Sequence, residues 1–214
     1  MIIIAHRAGN DVATLIAAVQ AGADVVEADV HLHRRRLEVR HAKSFGTPWL
    51  YDNRRLLPST VPRLHLGELL DALPPATTVM LDLKGMGSTG LAVSRAVQER
   101  APTHPLWVCA RWWPQLLSFQ GLPWVRTLAS ARNRAEVARL HRHLDAARGE
   151  LPFGCSLHRS LLTAPMVNRL HEHGLVVVTW PVDDAEALRE ARAVDVDGVI
   201  TAQLAIVREV ARTN

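Results

Sequence analysis

The sequence predicts an α/β protein, specifically a (β/α)₈ or TIM barrel that forms one compact domain over residues 1–214. Short apolar runs of strand length alternate with segments of helical spacing along the chain, which is typical of a parallel sheet covered by helices. Eight such runs can be counted, the number that closes a barrel. The chain has 214 residues, of which 48% are hydrophobic and 21% charged, so it can bury a substantial core.

The first predicted strand is the wholly apolar run Ile2–Ala5, as expected of a strand buried on both faces. Seven more runs follow, so the predicted strands are centred on Ile3, Val26, Val79, Val108, Leu128, Cys155, Val177 and Val199. Residues 37–41 return from the second strand as an extended segment. Helices are predicted between the strands, mainly from apolar residues three and four apart, over 11–20, 66–73, 88–100, 114–119, 132–148, 164–173, 185–193 and 204–212.

One segment, 42–66, breaks this rhythm. It contains Gly46, Pro48, Pro58 and Pro62 and shows no regular hydrophobic period. We therefore expect a long irregular loop, with a small excursion from the main body of the domain. Loops of this length inside a compact domain are often functional.

Charge and cysteine content narrow the class of partner and the compartment. The 25 basic residues exceed the 21 acidic ones, and apart from residues 34–36 they are scattered. This favours a small anionic substrate over nucleic acid, which usually binds a concentrated basic stripe. Cys109 and Cys155 lie in apolar runs, which predicts buried thiols and a reducing compartment. The chain shows neither a transmembrane segment nor a secretion signal, so we expect a cytoplasmic protein, of open oligomeric state.

Acidic residues interrupt two otherwise apolar strands. Glu27 and Asp29 are two positions apart in the second strand, so their side chains share one face. A core strand has no structural use for two adjacent carboxylates, because burying a charge is costly unless it is paired or bound to a metal. Together with Asp82 at the end of the third strand, they indicate a site for a divalent cation with carboxylate oxygens as ligands.

Histidines and basic side chains stand at the same predicted edge, where barrel enzymes carry their catalytic residues. His6 and Arg7 end the first strand, Lys84 ends the third, and His41 ends the extended segment. Arg7 and Lys84 suit a phosphate group. Because imidazole titrates near neutral pH, one histidine can protonate a leaving group while another removes a proton from a nucleophile. The set is a candidate active site for a phosphorylated substrate.

In their order along the chain, these motifs resemble the signature of the glycerophosphodiester phosphodiesterase (GDPD) family. The matching segments are His6-Arg7-Ala8-Gly9, Glu27-Ala28-Asp29-Val30, His41-Ala42, Asp82-Leu83-Lys84, Trp180 and Asp197-Gly198-Val199-Ile200-Thr201. The resemblance implies a (β/α)₈ barrel and metal-dependent hydrolysis of glycerophosphodiesters to glycerol 3-phosphate and an alcohol. It assigns roles as follows: binding of Mg²⁺ or Ca²⁺ to Glu27, Asp29 and Asp82, acid–base catalysis to His6 and His41, and substrate binding to Arg7, Lys84 and Trp180.

The chain departs from the family pattern close to these residues. Residues 10–14 replace a Pro-Glu-Asn-Thr block, Ala42 stands where an aspartate usually follows the second histidine, and Asp82 is one methylene shorter than the usual glutamate. Two alternatives to the hydrolase therefore stay open. One is a phospholipase-D-like lyase on lysolipids, for which aromatic residues such as Trp49 and Trp112 could form an apolar rim. The other is a non-catalytic family member that binds a phosphorylated ligand.

Overall fold

The computed structural model describes residues 1–44, 49–52, 54–58, 60, 63–100, 104–146 and 151–213. Within these ranges the strands are β1 (Ile2–Ala5), β2 (Val25–His33), β3 (Arg36–Val39), β4 (Lys43–Ser44), β5 (Trp49–Asp52), β6 (Arg55–Pro58), β7 (Leu64–His65), β8 (Thr78–Leu83), β9 (Leu106–Ala110), β10 (Val125–Ala131), β11 (Gly154–His158), β12 (Val176–Trp180) and β13 (Gly198–Thr201). The α-helices are α1 (Val12–Gln20), α2 (Leu66–Ala72), α3 (Thr89–Arg100), α4 (Arg134–Asp145), α5 (Ala164–Glu172), α6 (Ala185–Ala193) and α7 (Leu204–Thr213). Short 3₁₀ helices cover Ala8–Asn10, Trp113–Phe119 and Arg159–Leu161.

Eight of these strands, β1, β2 and β8 to β13, close a parallel barrel. β1 pairs in parallel with β2 on one side, where Ile4 lies opposite Val25, and with β13 on the other, where Ala5 lies opposite Thr201. From β8 to β13 each strand pairs with the next one along the chain. The predicted (β/α)₈ barrel is therefore confirmed, and each of the eight predicted strands is a barrel strand.

The helices surround the barrel and bury apolar stripes against it, as Leu15 of α1, Leu140 of α4 and Val210 of α7 illustrate. Between β9 and β10 the connection is a 3₁₀ helix, Trp113–Phe119, rather than an α-helix. The predicted end of the helix at 132–148 lies outside the described residues. None of the helices in the described ranges combines the length and apolar character needed to cross a membrane.

A separate apolar cluster fills the barrel interior. Its buried members come from barrel strands alone: Ile4, Val25, Met80, Trp107, Cys109, Leu128, Val178 and Ile200. Because side chains alternate along a strand, Glu27 and Asp29 continue the face of Val25, and Asp82 continues the face of Met80. The interior therefore changes from apolar to acidic towards the carboxyl ends of the strands. Cys109 and Cys155 are both buried free thiols, as predicted.

The segment 42–66, for which the sequence predicts an irregular loop, carries short strands in its described part. β4, β5 and β6 form a small antiparallel sheet beside the barrel, and β7 pairs with β3. Residues 45–48, 53, 59, 61 and 62 of this segment lie outside the described residues. Backbone hydrogen bonds, more than side-chain burial, define the small sheet. In β5, for example, Leu50 is buried whereas Trp49 and Tyr51 are exposed. A strand with so little burial leaves no clear hydrophobic period in the sequence.

Candidate active site

A cleft of about 800 Å³ opens at the carboxyl ends of the barrel strands. The structure brings together the residues that the sequence singles out, and the cleft is lined by His6, Arg7, Glu27, His41, Asp82, Lys84 and Trp180 among others. Asp29, the remaining predicted site residue, is fully buried beneath the floor of the cleft. The acidic end of the barrel interior therefore forms the floor of this cleft.

Three carboxylates form a compact cluster at the floor of the cleft. Glu27, Asp29 and Asp82 each offer an oxygen atom, and these atoms all lie within 4.8 Å of one another. The parallel register of β2 and β8 sets Asp29 directly opposite Asp82. Burial raises the pKa of Glu27 well above its ordinary value, and the neighbouring Asp29 carboxylate adds to this. Burial also raises the pKa of Asp82, although Lys84 opposes the shift.

Besides burial, the Asp29 carboxylate contributes to raising the pKa of both Glu27 and Asp82, so the three acidic groups repel one another. Hard oxygen donors converging on one point are the ligands that Mg²⁺ and Ca²⁺ prefer. A divalent cation would relieve the repulsion between Glu27, Asp29 and Asp82. The donor set therefore fits a divalent metal ion.

Two cationic side chains contact the cluster. The Lys84 ammonium lies 2.5 Å from Asp29 Oδ1 and also contacts Asp82 Oδ2. Although burial opposes it, the carboxylates raise the pKa of Lys84 above its usual range, so this side chain stays charged. Burial would raise the pKa of Asp29. The Lys84 ammonium and a hydrogen bond from the Asn10 side chain outweigh this effect, so the pKa of Asp29 is lowered. Arg7 Nε lies 3.7 Å from Asp29 Oδ2. Both cations therefore lie beside the carboxylate cluster, where they could bind an anionic ligand.

The turn after β1 holds two of the carboxylates. The backbone N–H of Arg7, which adopts a left-handed conformation (φ 55°), donates to Glu27 Oε2 at 2.5 Å. The Asn10 side chain donates through Nδ2 to Asp29 Oδ2 at 2.8 Å, and its Oδ1 accepts the backbone N–H of Asp29 at 2.8 Å. Sequence reasoning missed Asn10, because asparagine is common in turns and its position after β1 gives only a weak signal.

The two candidate catalytic histidines occupy different environments. His6 directly follows β1, and its backbone N–H donates to the Thr201 carbonyl at 2.7 Å. Burial, with help from the Arg7 charge, lowers the pKa of His6 to about 4. His41 follows β3, and its Nδ1 lies 2.5 Å from Asp52 Oδ1. Asp52 was not among the predicted site residues, since it belongs to the segment that shows no period.

The upper walls of the cleft add basic and aromatic side chains. Arg111 and Arg132 line it. Each directly follows a barrel strand and comes two residues after a side chain of that strand that points into the barrel. This inward-facing alternation, read from Cys109 and Ser130, is the sequence signal that could have found them. Trp180, at the end of β12, also lines the cleft and packs edge-on against His158, with ring centroids 5.0 Å apart. A basic wall suits an anionic substrate.

A larger cavity lies beside this cleft, on the outside of the barrel. It measures about 1000 Å³ and follows the 3₁₀ helix Trp113–Phe119, where apolar residues such as Leu122 and Phe153 line it. It contains none of the clustered carboxylates and neither His6 nor His41, so the cleft is the better candidate for the chemistry. Trp112 and Arg139 line both cavities.

Comparison with known proteins relates the chain to one family. The model of the Glycerophosphoryl diester phosphodiesterase family matches residues 90–205, which is more than half of the chain. Of the eight predicted site residues, Trp180 lies inside this span and the others precede it. No protein of curated function matches the chain significantly in sequence.

Solved structures share the fold over the whole chain. The glycerophosphodiester phosphodiesterase of Thermotoga maritima superposes with a TM-score of 0.76 at 17% identity, covering 100% of this chain and 98% of that protein. A phosphodiesterase of Oleispira antarctica, solved with the product sn-glycerol-3-phosphate, gives a TM-score of 0.75 at 18% identity, covering 100% of this chain and 97% of that one. At such identities the likeness shows a common fold.

Proposed function

The chain belongs to the glycerophosphoryl diester phosphodiesterase family, and from this we propose that it hydrolyses glycerophosphodiesters to glycerol 3-phosphate and an alcohol. The observation that carries the proposal is one cleft lined by two histidines and two cationic side chains, with a three-carboxylate cluster at and beneath its floor. These groups can supply what the cleavage of a phosphodiester needs. Negative charge on the phosphate must be compensated, and protons must move to the leaving oxygen and from the nucleophile.

The carboxylate cluster would hold the metal ion. Glu27, Asp29 and Asp82 would bind Mg²⁺ or Ca²⁺ through hard oxygen atoms. When bound, such an ion neutralises charge on the non-bridging phosphate oxygens. Asn10 fixes the Asp29 carboxylate from behind, so that ligand is already oriented.

Substrate binding falls to the cationic and aromatic residues of the cleft. Lys84 stays protonated among the carboxylates and Arg7 lies beside them, so together they would hold the anionic phosphate. Trp180 would line the glycerol side of the substrate with its apolar face. These contacts would place the phosphate in the cleft that both histidines line.

His6 and His41 would carry the protons. A neutral imidazole can take a proton from the attacking nucleophile, and a protonated one can give it to the leaving alkoxide. Burial keeps His6 neutral at physiological pH. His41 borders the same cleft, and its Nδ1 contacts the Asp52 carboxylate, which leaves Nε2 to exchange a proton with the substrate.

The test is release of glycerol 3-phosphate from a panel of glycerophosphodiesters, with Mg²⁺, Ca²⁺ and EDTA in parallel. His6→Ala and Glu27→Gln are the variants expected to be inactive, and His173→Gln, which replaces a histidine at the end of α5 outside the cleft, is the matched control. We expect metal-dependent turnover that is lost in the first two variants and kept in the third. Absence of turnover on every substrate, from folded protein with metal bound, would refute the proposal.

A second candidate function follows from the adjoining apolar cavity. Because Trp112 and Arg139 line both the cleft and that cavity, a glycerophosphodiester with one acyl chain could place its phosphate in the cleft and its chain along the cavity. The corresponding activity is phospholipase-D-like cleavage of lysolipids. Product analysis on lysolipids distinguishes the routes, since a lyase releases a cyclic phosphate and a hydrolase an open monoester.

A further inference from the structure

The contact between His41 and Asp52 joins the barrel to the small sheet of β4, β5 and β6. Nδ1 of His41 lies 2.5 Å from Oδ1 of Asp52. The two side chains are 28% and 25% exposed, so the pair is largely shielded from water. A carboxylate ionised at neutral pH can only accept a hydrogen bond. The contact therefore favours the tautomer with the proton on Nδ1, in which Nε2 is the nitrogen available to a ligand.

The pairing of the small sheet places Asp52 at this position. β4 and β5 are antiparallel, with Lys43 opposite Tyr51 and Ser44 opposite Leu50. Extending this register by one residue sets Asp52 opposite Ala42, the residue directly after His41. The carboxylate of Asp52 therefore lies opposite Ala42, the position at which the family pattern usually has an aspartate.

A buried arginine fastens the chain between His41 and β4. The Arg40 guanidinium contacts the Ala42 carbonyl oxygen and donates to Ser44 Oγ at 3.0 Å. Its Nε donates to Glu38 Oε2 at 2.7 Å, which ties it back to β3 of the main sheet. Arg40 and Glu38 are both buried. The start of the small sheet, and with it the approach of Asp52 to His41, is thus anchored to the barrel.

From this geometry we propose that Asp52 is a positioning residue for the acid–base histidine His41. It fixes the imidazole as the Nδ1–H tautomer, turns Nε2 towards the cleft, and stabilises the imidazolium that forms when Nε2 takes up a proton. The proton on Nδ1 stays there throughout and is not transferred to Asp52. The inference rests on the proposed function in one respect, the assignment of His41 to proton transfer.

The first experiment reads the tautomer without any turnover. The protein is labelled with ¹⁵N-histidine, and the ring signals of His41 are assigned by their loss in His41→Gln. We expect a pyrrole-type shift at Nδ1 and a pyridine-type shift at Nε2 in the neutral form, because the hydrogen bond at one ring nitrogen sets the tautomer. In Asp52→Asn this preference should weaken or reverse. A wild-type His41 with an unprotonated Nδ1 would overturn the proposal.

The second experiment measures kinetics of the metal-loaded enzyme on the best glycerophosphodiester. Positioning the histidine should affect proton transfer more than binding. Because His41 itself stays in place, we expect Asp52→Asn to lower kcat about 10- to 100-fold, less than most of the roughly 10²- to 10⁴-fold contributed by acid–base catalysis as a whole, with KM changed less than about twofold. Asp52→Glu, which keeps the charge, should retain more of kcat. A wild-type kcat in Asp52→Asn, or an effect on KM alone, would overturn the proposal.

A second His–Asp pair supplies the matched control. His171 Nε2 lies 2.9 Å from Asp197 Oδ2, with 31% and 38% exposure, outside the cleft. Asp197→Asn should leave both kcat and the His41 signals unchanged, whatever it does to the melting temperature.

If Asp52→Asn lowers stability and kcat while His41 keeps its wild-type tautomer, the role of Asp52 is structural and the proposal fails. If the wild-type protein turns over no substrate, the proposed function fails, and the spectra still decide whether Asp52 sets the His41 tautomer.

Discussion

Replacing Asn10 by alanine tests whether this amide prepares Asp29 for a metal ion. The side chain makes two hydrogen bonds of 2.8 Å, one to the Asp29 carboxylate and one from its backbone N–H. A bond to a charged group contributes about 1.5–3 kcal/mol, and a neutral one about 0.5–1.5 kcal/mol. Without them Asp29 can turn in its pocket, and the metal would have to order it on binding.

Outer partners of metal ligands typically change affinity about 10- to 100-fold, which corresponds to about 1.4–2.7 kcal/mol. We therefore expect Asn10→Ala to weaken binding of Mg²⁺ or Ca²⁺ by this factor, measured by calorimetric titration of the metal-free protein. Asn133→Ala is the matched control, because Asn133 accepts the backbone N–H of Glu136 at the start of α4. Its loss should cost about 1 kcal/mol of stability and leave metal affinity alone. Folded Asn10→Ala with wild-type affinity for both ions would refute the reasoning.

Three further predictions concern the scaffold. Burial raises the pKa of Cys155 to about 12, so a thiol reagent at pH 8 should leave it unmodified in the native protein and label it in denaturant; rapid native labelling would contradict its burial. In Gly154→Ala the new methyl carbon would lie 2.4 Å from the Val176 carbonyl oxygen, so urea unfolding should show a loss of about 1–3 kcal/mol, and an unchanged midpoint would disprove this close approach. Leu128→Ala empties part of the barrel interior and should cost about 2–5 kcal/mol in the same assay, with metal affinity preserved; lost affinity would show that interior and site are not separable.

The barrel and the floor of its site could be predicted because both follow local patterns. Apolar runs such as Ile2–Ala5 identify strands, and the spacing of Glu27 and Asp29 places both carboxylates on one strand face. The carboxyl ends of parallel strands meet at one edge, so His6 and Lys84 come close without any knowledge of long-range contacts. The same alternation, carried two residues past Cys109, would also have identified Arg111.

Asn10 and Asp52 could not be predicted in the same way. Each reaches the site through a contact between parts of the chain that have no shared period: Asn10 through a turn, and Asp52 through the register of a small sheet whose strands are largely exposed. The sequence shows that the residue after His41 is alanine. It does not show that the antiparallel pairing of β4 and β5 brings the carboxylate of Asp52, eleven residues after His41, to the same histidine. The replacement of a missing aspartate by a carboxylate from another strand depends on tertiary pairing, which local sequence patterns do not reveal.

The small sheet of β4, β5 and β6 takes no part in closing the barrel, since β1 pairs directly with both β2 and β13. Changes in this sheet therefore leave the pairing of the barrel strands intact, while those that move Asp52 alter the surroundings of His41. The surroundings of the acid–base histidine can thus be changed without rebuilding the barrel that holds the carboxylates.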